Sequence, residues 1–370
     1  MKTLFETSRI NGMELSNRFV RSATWEGMAT AEGAVTRRLI ETMTRLARGG
    51  VGLIVSSHTY VSPEGQATPW QLGIYKDELI PGLKKMAEAV HECGGRIVLQ
   101  LAHAGAFAVE SLRDHPPLAV SNYEGLAESP RREISLQDIT ELVAAFADGA
   151  RRAKAAGFDG VELHAAHGYL LSQFFSPLYN RRKDAYGGST SNRARIGLEI
   201  LSAVRESVGS DYPVLMKMNG QDYSRDGLVR EESVQMAKLL EEAGLDALEL
   251  SGGLLKSIKT SPSRPRIDTV QKEVYFREDA RLFKRELNIP LILVGGIRSL
   301  EVAEELLENG EADYIAMSRP FIREPDLISR WKAGDRRRAE CTSDNLCFAP
   351  GFKGDGVYCV TREREAAQIS

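Results

Sequence analysis

Eight short apolar runs, with room for an amphipathic segment between most neighbours, constrain this chain more than any other feature. They are RFVRSA (18–23), VGLIVSS (51–57), RIVLQLA (96–102), GVELHA (160–165), VLMKMN (214–219), ALELSG (247–252), LILVGG (291–296) and YIAMSR (314–319). Each is rich in β-branched residues or leucine, the composition of a parallel strand buried on both faces. TRRLIETMTRLARGG and DELIPGLKKMAEAVHECGG end in glycines suited to a helix C-cap. SLQDITELVAAFADGARRAKAAG opens with Ser135 and Asp138 at capping-box spacing. Further helices are expected at 191–208, 230–243, 276–287, 299–309 and 324–333. Eight strands alternating with eight helices predict an α/β fold, a single (β/α)8 barrel of the TIM type, with every strand's C-terminal end at one mouth. A doubly wound sheet is the competing architecture, weakened by the count of eight and by the lack of a G-x-G-x-x-G turn after the first strand. Segment 1–17 reads as an N-terminal hairpin around Asn11–Gly12 that closes the bottom of the barrel. The expected division is a barrel of residues 1–335 and a C-terminal extension, 336–370, packed against it.

The length of 370 residues suits one such domain, and 42% apolar with 27% charged residues is the composition of a soluble protein with a sizeable core. A net charge of −3 gives no reason to expect nucleic acid or an anionic membrane as partner. The first fifteen residues lack the apolar core of a secretory signal, and no run is long enough to span a bilayer. Four cysteines do not make a disulfide framework in a chain of this size. A cytoplasmic protein acting on a small molecule is expected, with homo-oligomerisation left open.

Polar residues collect where the strands stop: Ser22 and Thr24, Ser57 and His58, Gln100 and His103, His164 and His167, Lys217 and Asn219, Ser251, Ser318 and Arg319. Their convergence on one mouth implies a ligand with many hydrogen-bonding groups, although Ser57, Asn219 and Ser251 taken singly could serve only as caps. Gly295 and Gly296 end the seventh strand, and Ser318 and Arg319 the eighth. Glycine amides approach a phosphate closely and an arginine binds its oxygens in a fork, so this pair of strand ends reads as a phosphate site. Lys217 lies inside an apolar strand and needs an anionic partner. It could be a Schiff-base nucleophile or could stabilise negative charge on a bound ring. Gln100 both donates and accepts, and with Lys217 it suits a heterocycle such as flavin.

The stretch VELHAAHGYLLSQFFSPLYNRRKDAYGG (161–188) places His164, His167 and Tyr169 just past a buried strand. Spacing of i and i+3 could serve zinc. The nearby acids are Glu162, inside the strand, and Asp184, beyond a long turn, and no H-E-x-x-H pattern exists. Two neutral donors sharing one substrate oxygen fit these residues better, and no metal ligand is assigned.

Residues 164–200, HAAHGYLLSQFFSPLYNRRKDAYGGSTSNRARIGLEI, closely resemble the Old Yellow Enzyme family of FMN-dependent ene-reductases. NRFVRSAT (17–24), LQLAHAG (99–105) and VGGIRS with ADYIAMSRPFIREPDL (294–327) extend the resemblance along essentially the whole chain. The resemblance implies one FMN-binding barrel, reduced by NADH or NADPH, that transfers hydride through the flavin to an enone-type substrate. It assigns His164 and His167 to the substrate's oxygen and Tyr169 to proton donation. It assigns Gln100 and Lys217 to the flavin ring, Ser22, Ala23 and Thr24 to the stretch beneath it, and Gly295, Gly296, Ser318 and Arg319 to the phosphate. Either Thr24 or Trp25 takes the place of the residue that touches flavin O4 in relatives. His58 stands where many relatives have alanine and is expected near the flavin.

The tail, CTSDNLCFAPGFKGDGVYCV (341–360), resembles the iron–sulfur segment of the larger 2,4-dienoyl-CoA reductase and trimethylamine dehydrogenase relatives. Those carry four cysteines there. Here Asp344 occupies the second position, leaving Cys341, Cys347 and Cys359, whereas a cluster normally takes four thiolates. The tail therefore reads as a vestige packed on the barrel, with an aspartate-ligated cluster as the alternative. Three competing functions are carried forward: a flavin-dependent demethylase or dehydrogenase, a metal-dependent barrel hydrolase, and a barrel that binds a phosphorylated ligand without catalysis.

Overall fold

The computed structural model describes residues 2–369 apart from 110–114, 128, 256 and 258. The chain opens with a hairpin, β1 (Ser8–Ile10) against β2 (Met13–Leu15), turned at Asn11 with its φ at 48°. The barrel follows: β3 (Phe19–Arg21), α1 (Arg37–Arg48), β4 (Leu53–Tyr60), α2 (Ile80–His91) and β5 (Ile97–Ala102). A small parallel pair, β6 (Leu118–Ala119) and β7 (Arg132–Glu133), sits in the next connection. Then come α3 (Leu136–Ala155), β8 (Gly160–Ala165), α4 (Leu170–Phe175), α5 (Thr190–Val208), β9 (Val214–Asn219), α6 (Arg230–Glu242) and β10 (Ala247–Ser251). The chain continues through α7 (Arg277–Glu286), β11 (Leu291–Val294), α8 (Leu300–Glu308), β12 (Tyr314–Met317), α9 (Arg319–Arg323), α10 (Leu327–Lys332) and α11 (Val360–Ile369).

The eight expected runs form one closed parallel barrel in the order β3-β4-β5-β8-β9-β10-β11-β12, and Phe19 pairing with Ile315 closes the ring. The capping box forms as the spacing predicts: the Ser135 hydroxyl accepts from the Asp138 amide, and the Asp138 carboxylate accepts from the Ser135 amide. The helix expected over 324–333 is shorter. Pro325 follows Glu324, and proline disfavours helical geometry in the residue before it, so α9 stops at Arg323 and α10 begins at Leu327. Among the described residues no helix is long and apolar enough to cross a membrane.

Two layers of apolar packing hold the barrel. Ile54, Leu99, Val161, Met216, Leu248 and Leu293 pack outward with the helices. Val20, Leu53, Val55, Val98, Leu215, Ala247 and Ile292 meet in the lumen, where the hairpin residues Ile10, Met13 and Leu15 join them and plug the bottom. Period-two alternation along each strand separates the two sets. Continued upward, the same alternation points Gln100, Glu162, Lys217 and Glu249 into the lumen, where the chemistry changes from apolar to polar, while β4 departs from it at a register shift between Val55 and His58.

Candidate active site

Above the hairpin plug lies a buried polar layer. Lys217 on β9 donates to Glu249 on β10 at 2.9 Å and to the Ser22 hydroxyl at 2.7 Å, and Ser22 donates to Glu249 at 2.6 Å. Ser22 follows β3, which is separated from β10 by two strands, so these bonds cross the lumen. Gln100 on β5 donates to Glu162 on β8 at 2.7 Å. Two carboxyl groups thus lie near one ammonium inside the barrel, with Glu249 alone bonded to it. Burial, followed by the neighbouring Glu249 charge, raises the Glu162 carboxyl well above the usual range. Burial opposes ionisation of Glu249 too, but Lys217 and the hydrogen bonds overcome it and hold its carboxyl low. Glu162 therefore carries the proton and Glu249 the charge. Glu249 is absent from the residues picked out by sequence; its signal was a lone acid, two residues before Ser251, in the apolar run ALELSG.

The next level is the mouth. A cavity of ≈ 510 Å³ is walled by Ser22, Ala23, Thr24, His58, Gln100, His164, His167, Tyr169, Lys217 and Ser318 among others. His164 ends β8, and its ring centroid lies 5.3 Å from that of His167 and 5.0 Å from that of Tyr169. His167 is held at φ 66°, an unusual conformation for a residue with a side chain. Its amide donates to Asn219 Oδ1, and its Nε2 lies 2.7 Å from the Ser251 hydroxyl. Asn219 and Ser251 thus position a catalytic candidate, beyond any capping role. Tyr169 starts α4, and burial pushes its phenol up to about 12, so the group remains a proton carrier.

Burial dominates the histidines. It lowers His58 to about 4 and His164 and His167 well below 6.5, with Lys217 and neighbouring imidazoles adding to the last two. All three are neutral at neutral pH. A depressed base contributes stability that is fully present above its unfolded value, near 6.5, and is lost as pH falls toward the folded value. The unfolded chain takes up protons that the folded one refuses, so the histidines' share of stability should fall by up to about 4 kcal/mol per pH unit where all three contribute, offset by about 1.4 kcal/mol per unit from the protonated Glu162. Urea midpoints between pH 7 and pH 5 should drop steeply, the His58 share levelling off below about 4; an unchanged midpoint would contradict three neutral rings.

Gly295, Gly296 and Arg319 are not themselves cavity walls; they follow Val294 and Ser318, which are. Gly295 and Gly296 have φ of 149° and 80°, and a Cβ on Gly296 would sit 2.6 Å from the Tyr275 ring. Arg319 and Arg298 are both buried, repel one another, and make no salt bridge among the described residues. Arg298 donates instead to the Gly296 carbonyl at 2.7 Å and to the Cys341 carbonyl at 3.2 Å. Side-chain-free backbone beside two guanidiniums that make no salt bridge among the described residues fits a phosphate dianion.

The tail completes this side. Asn345 accepts from Arg319 at 2.5 Å, donates to the Ser263 carbonyl at 2.8 Å, and lines the cavity together with Phe348 and Phe352. Trp25 packs tilted against Phe352 with centroids 4.6 Å apart, and it clusters with Cys347 and Val357. The Thr24 hydroxyl lies 2.6 Å from the Ser318 hydroxyl, and both Thr24 and Trp25 line the cavity. Asp344 accepts from Thr342, Thr361 and the Leu346 amide. The Cys341 and Cys359 sulfurs accept from arginines, and burial raises the Cys347 thiol to about 12. Among the described residues no group of three or more His, Cys, Asp and Glu is arranged to hold a metal.

The model of the NADH:flavin oxidoreductase / NADH oxidase family matches residues 3–337. The chain belongs to this family. It is 38% identical over 354 residues to an NADH oxidase of Thermoanaerobacter brockii, covering 93% of this chain and 53% of that protein, so it spans about half that relative's length. It is 39% identical over 324 residues to an NADPH dehydrogenase of a Geobacillus species, covering 87% of this chain and 91% of the relative. The solved Old Yellow Enzyme homologue from Zymomonas mobilis superposes with a TM-score of 0.79 at 25% identity, over 97% of this chain and 98% of the other. The cofactors of the NADH:flavin oxidoreductase family are FMN and a nicotinamide reductant.

Proposed function

We propose that this protein is an FMN-dependent NAD(P)H oxidoreductase that reduces C=C bonds activated by a carbonyl or nitro group, acting on small molecules in the cytoplasm. The observation that carries the reading is the grouping of two neutral histidines and a protonated tyrosine on the wall of a cavity whose floor is Ser22, Gln100 and Lys217. The barrel of residues 1–335 and the tail of residues 336–370 act as one unit in this reading.

Gly295, Gly296, Ser318 and Arg319 would hold the FMN phosphate, Asn345 steadying the guanidinium. Ser22, Ala23, Thr24, Gln100 and Lys217 would hold the ring, with His58 beside it. Bound there, FMN supplies a hydride that it has taken from NADH or NADPH. His164 and His167 hold the substrate's oxygen and stabilise the negative charge that grows on it, as donors fixed before the reaction do best. Tyr169 delivers a proton to the α-carbon, which its high pKa permits only as general acid. Lys217, already neutralised by Glu249, is engaged as an ion-pair partner. That pairing disfavours the Schiff-base role, which needs a free amine.

The test is the purified protein's visible spectrum, followed by anaerobic reduction with NADH or NADPH and reoxidation by cyclohexenone or a nitroalkene. Bleaching by a nicotinamide and recovery with the alkene is the expected result. A colourless protein overturns the reading. Bleaching by a methylamine without alkene reduction replaces it with the demethylase or dehydrogenase reading.

A further inference from the structure

His58 owes its direction to an irregularity in β4. Val55 pairs with Val98, but the next pair is His58 with Gln100, so β4 carries one residue more than β5 over this interval. Such a bulge reverses the alternation beyond it and re-aims a side chain. Leu53 and Val55 face the lumen below the bulge. Unbroken alternation would turn Ser57 inward, whereas the extra residue turns His58 inward, beside Gln100, onto the cavity wall. The Ser56 hydroxyl accepts the Gln100 amide at 3.1 Å and stabilises the slip.

A chain of hydrogen bonds then fixes which ring nitrogen carries the proton. The Ala67 amide can only donate, and it donates to Gln71 Oε1 at 2.6 Å. The amide nitrogen of Gln71 must therefore face His58, where it donates to the backbone carbonyl at 3.1 Å and lies 2.7 Å from Nδ1. Nδ1 is left only the acceptor role, so the single proton of the neutral ring is on Nε2. Burial, holding the ring's pKa near 4, keeps it neutral. The ring stands 5.4 Å from Tyr169 and 6.4 Å from His164, centroid to centroid, parallel to the latter.

We propose that His58 is a third fixed donor of the substrate pocket, presenting its Nε2–H to a second oxygen of the bound substrate and so favouring alkenes activated by two carbonyls over those activated by one. The proposal rests on the enzyme reading above and deepens it. Its acceptor is a carbonyl oxygen; the flavin's own carbonyl edge is the other source of that chemistry.

Binding separates the cases without turnover. N-phenylsuccinimide and N-phenyl-2-pyrrolidinone differ by one carbonyl, and neither has a reducible C=C bond. Calorimetry on the FMN-loaded protein should show that His58→Leu weakens the imide about five- to tenfold, the worth of one neutral hydrogen bond. The lactam should change little. His58→Gln, whose amide can donate from nearly the same point, should restore most of the imide preference. Equal weakening of both ligands, or of neither, overturns the proposal. So does a changed flavin reduction potential with an unchanged imide-to-lactam ratio, which would assign the donor to the flavin. If the wild-type protein binds these ligands with the expected ratio but reduces no alkene, the enzyme reading has failed and the role of His58 in recognition stands.

Discussion

Replacing His164 and His167 together with alanine should slow alkene reduction by about 10³-fold, the scale reported by removal of a fixed donor to a developing oxyanion. The reason lies in timing. Both rings are neutral, His164 buried and His167 half-buried, and His167 is already oriented by Asn219 and Ser251. Little reorganisation is then needed when charge appears on the substrate oxygen. Binding of a phenol should weaken in parallel, because a phenolate carries the same oxygen. Flavin content should hold, since the proposed phosphate site, Gly295, Gly296 and Arg319, follows β11 and β12, away from the histidine pair. Tyr169→Phe should give a different pattern: phenol binding kept, turnover slowed where protonation limits it. Stopped-flow reoxidation of the reduced protein by cyclohexenone reads all of this. A double variant that reoxidises at the wild-type rate would make the pair structural.

Lys217→Met should destabilise the fold by about 3–5 kcal/mol at neutral pH, because it leaves Glu249 charged and unpaired in the lumen. With the ammonium gone, burial is left to oppose ionisation of both adjoining carboxyls, so both folded pKa values should lie above the unfolded ones. Stability from such groups is fully present below the unfolded value, about 4.5, and is lost as pH rises through the raised folded values. The difference between variant and wild type should therefore shrink toward acid and widen toward alkali. Comparing the two proteins at each pH cancels the opposing histidine effect. Lys217→Met with Glu249→Gln should recover much of the loss. A single variant within about 1 kcal/mol of wild type at pH 8 would mean that the lumen hydrates the glutamate.

Much of this was legible in the sequence, for a physical reason. Strands buried on both faces announce themselves as apolar runs, and side chains at their ends must gather at one mouth, which is how Gln100, His164, Lys217 and Ser318 come together. Interruptions of an apolar run also carry information, and Glu249 could have been read by the alternation that found Lys217. Other features were not written locally. The aim of His58 depends on a one-residue slip against β5, which no periodicity of β4 alone reveals. Gln71 matters only through the amide of Ala67. Asn345 meets Arg319 from 26 positions further along the chain, and its polar side chain in a polar loop gives no warning of it.

The contact between Trp25 and Phe352, with the Val357 amide bonded to the Glu26 carbonyl, joins parts of the chain more than 300 residues apart. Residues 341–360 leave the ribosome after all eight strands, so a nascent barrel can close before its last wall exists. Such a far-separated clasp forms late, because the entropy of loop closure must be met first. It should also open without the rest, since its aromatic cluster is small beside the core beneath the helices. With the cofactor held as proposed, the speed of its loading and exchange should follow the excursions of this clasp, while resistance to denaturant should follow the barrel. Two proteins of this kind with equal unfolding midpoints could differ widely in how fast they trade one flavin for another.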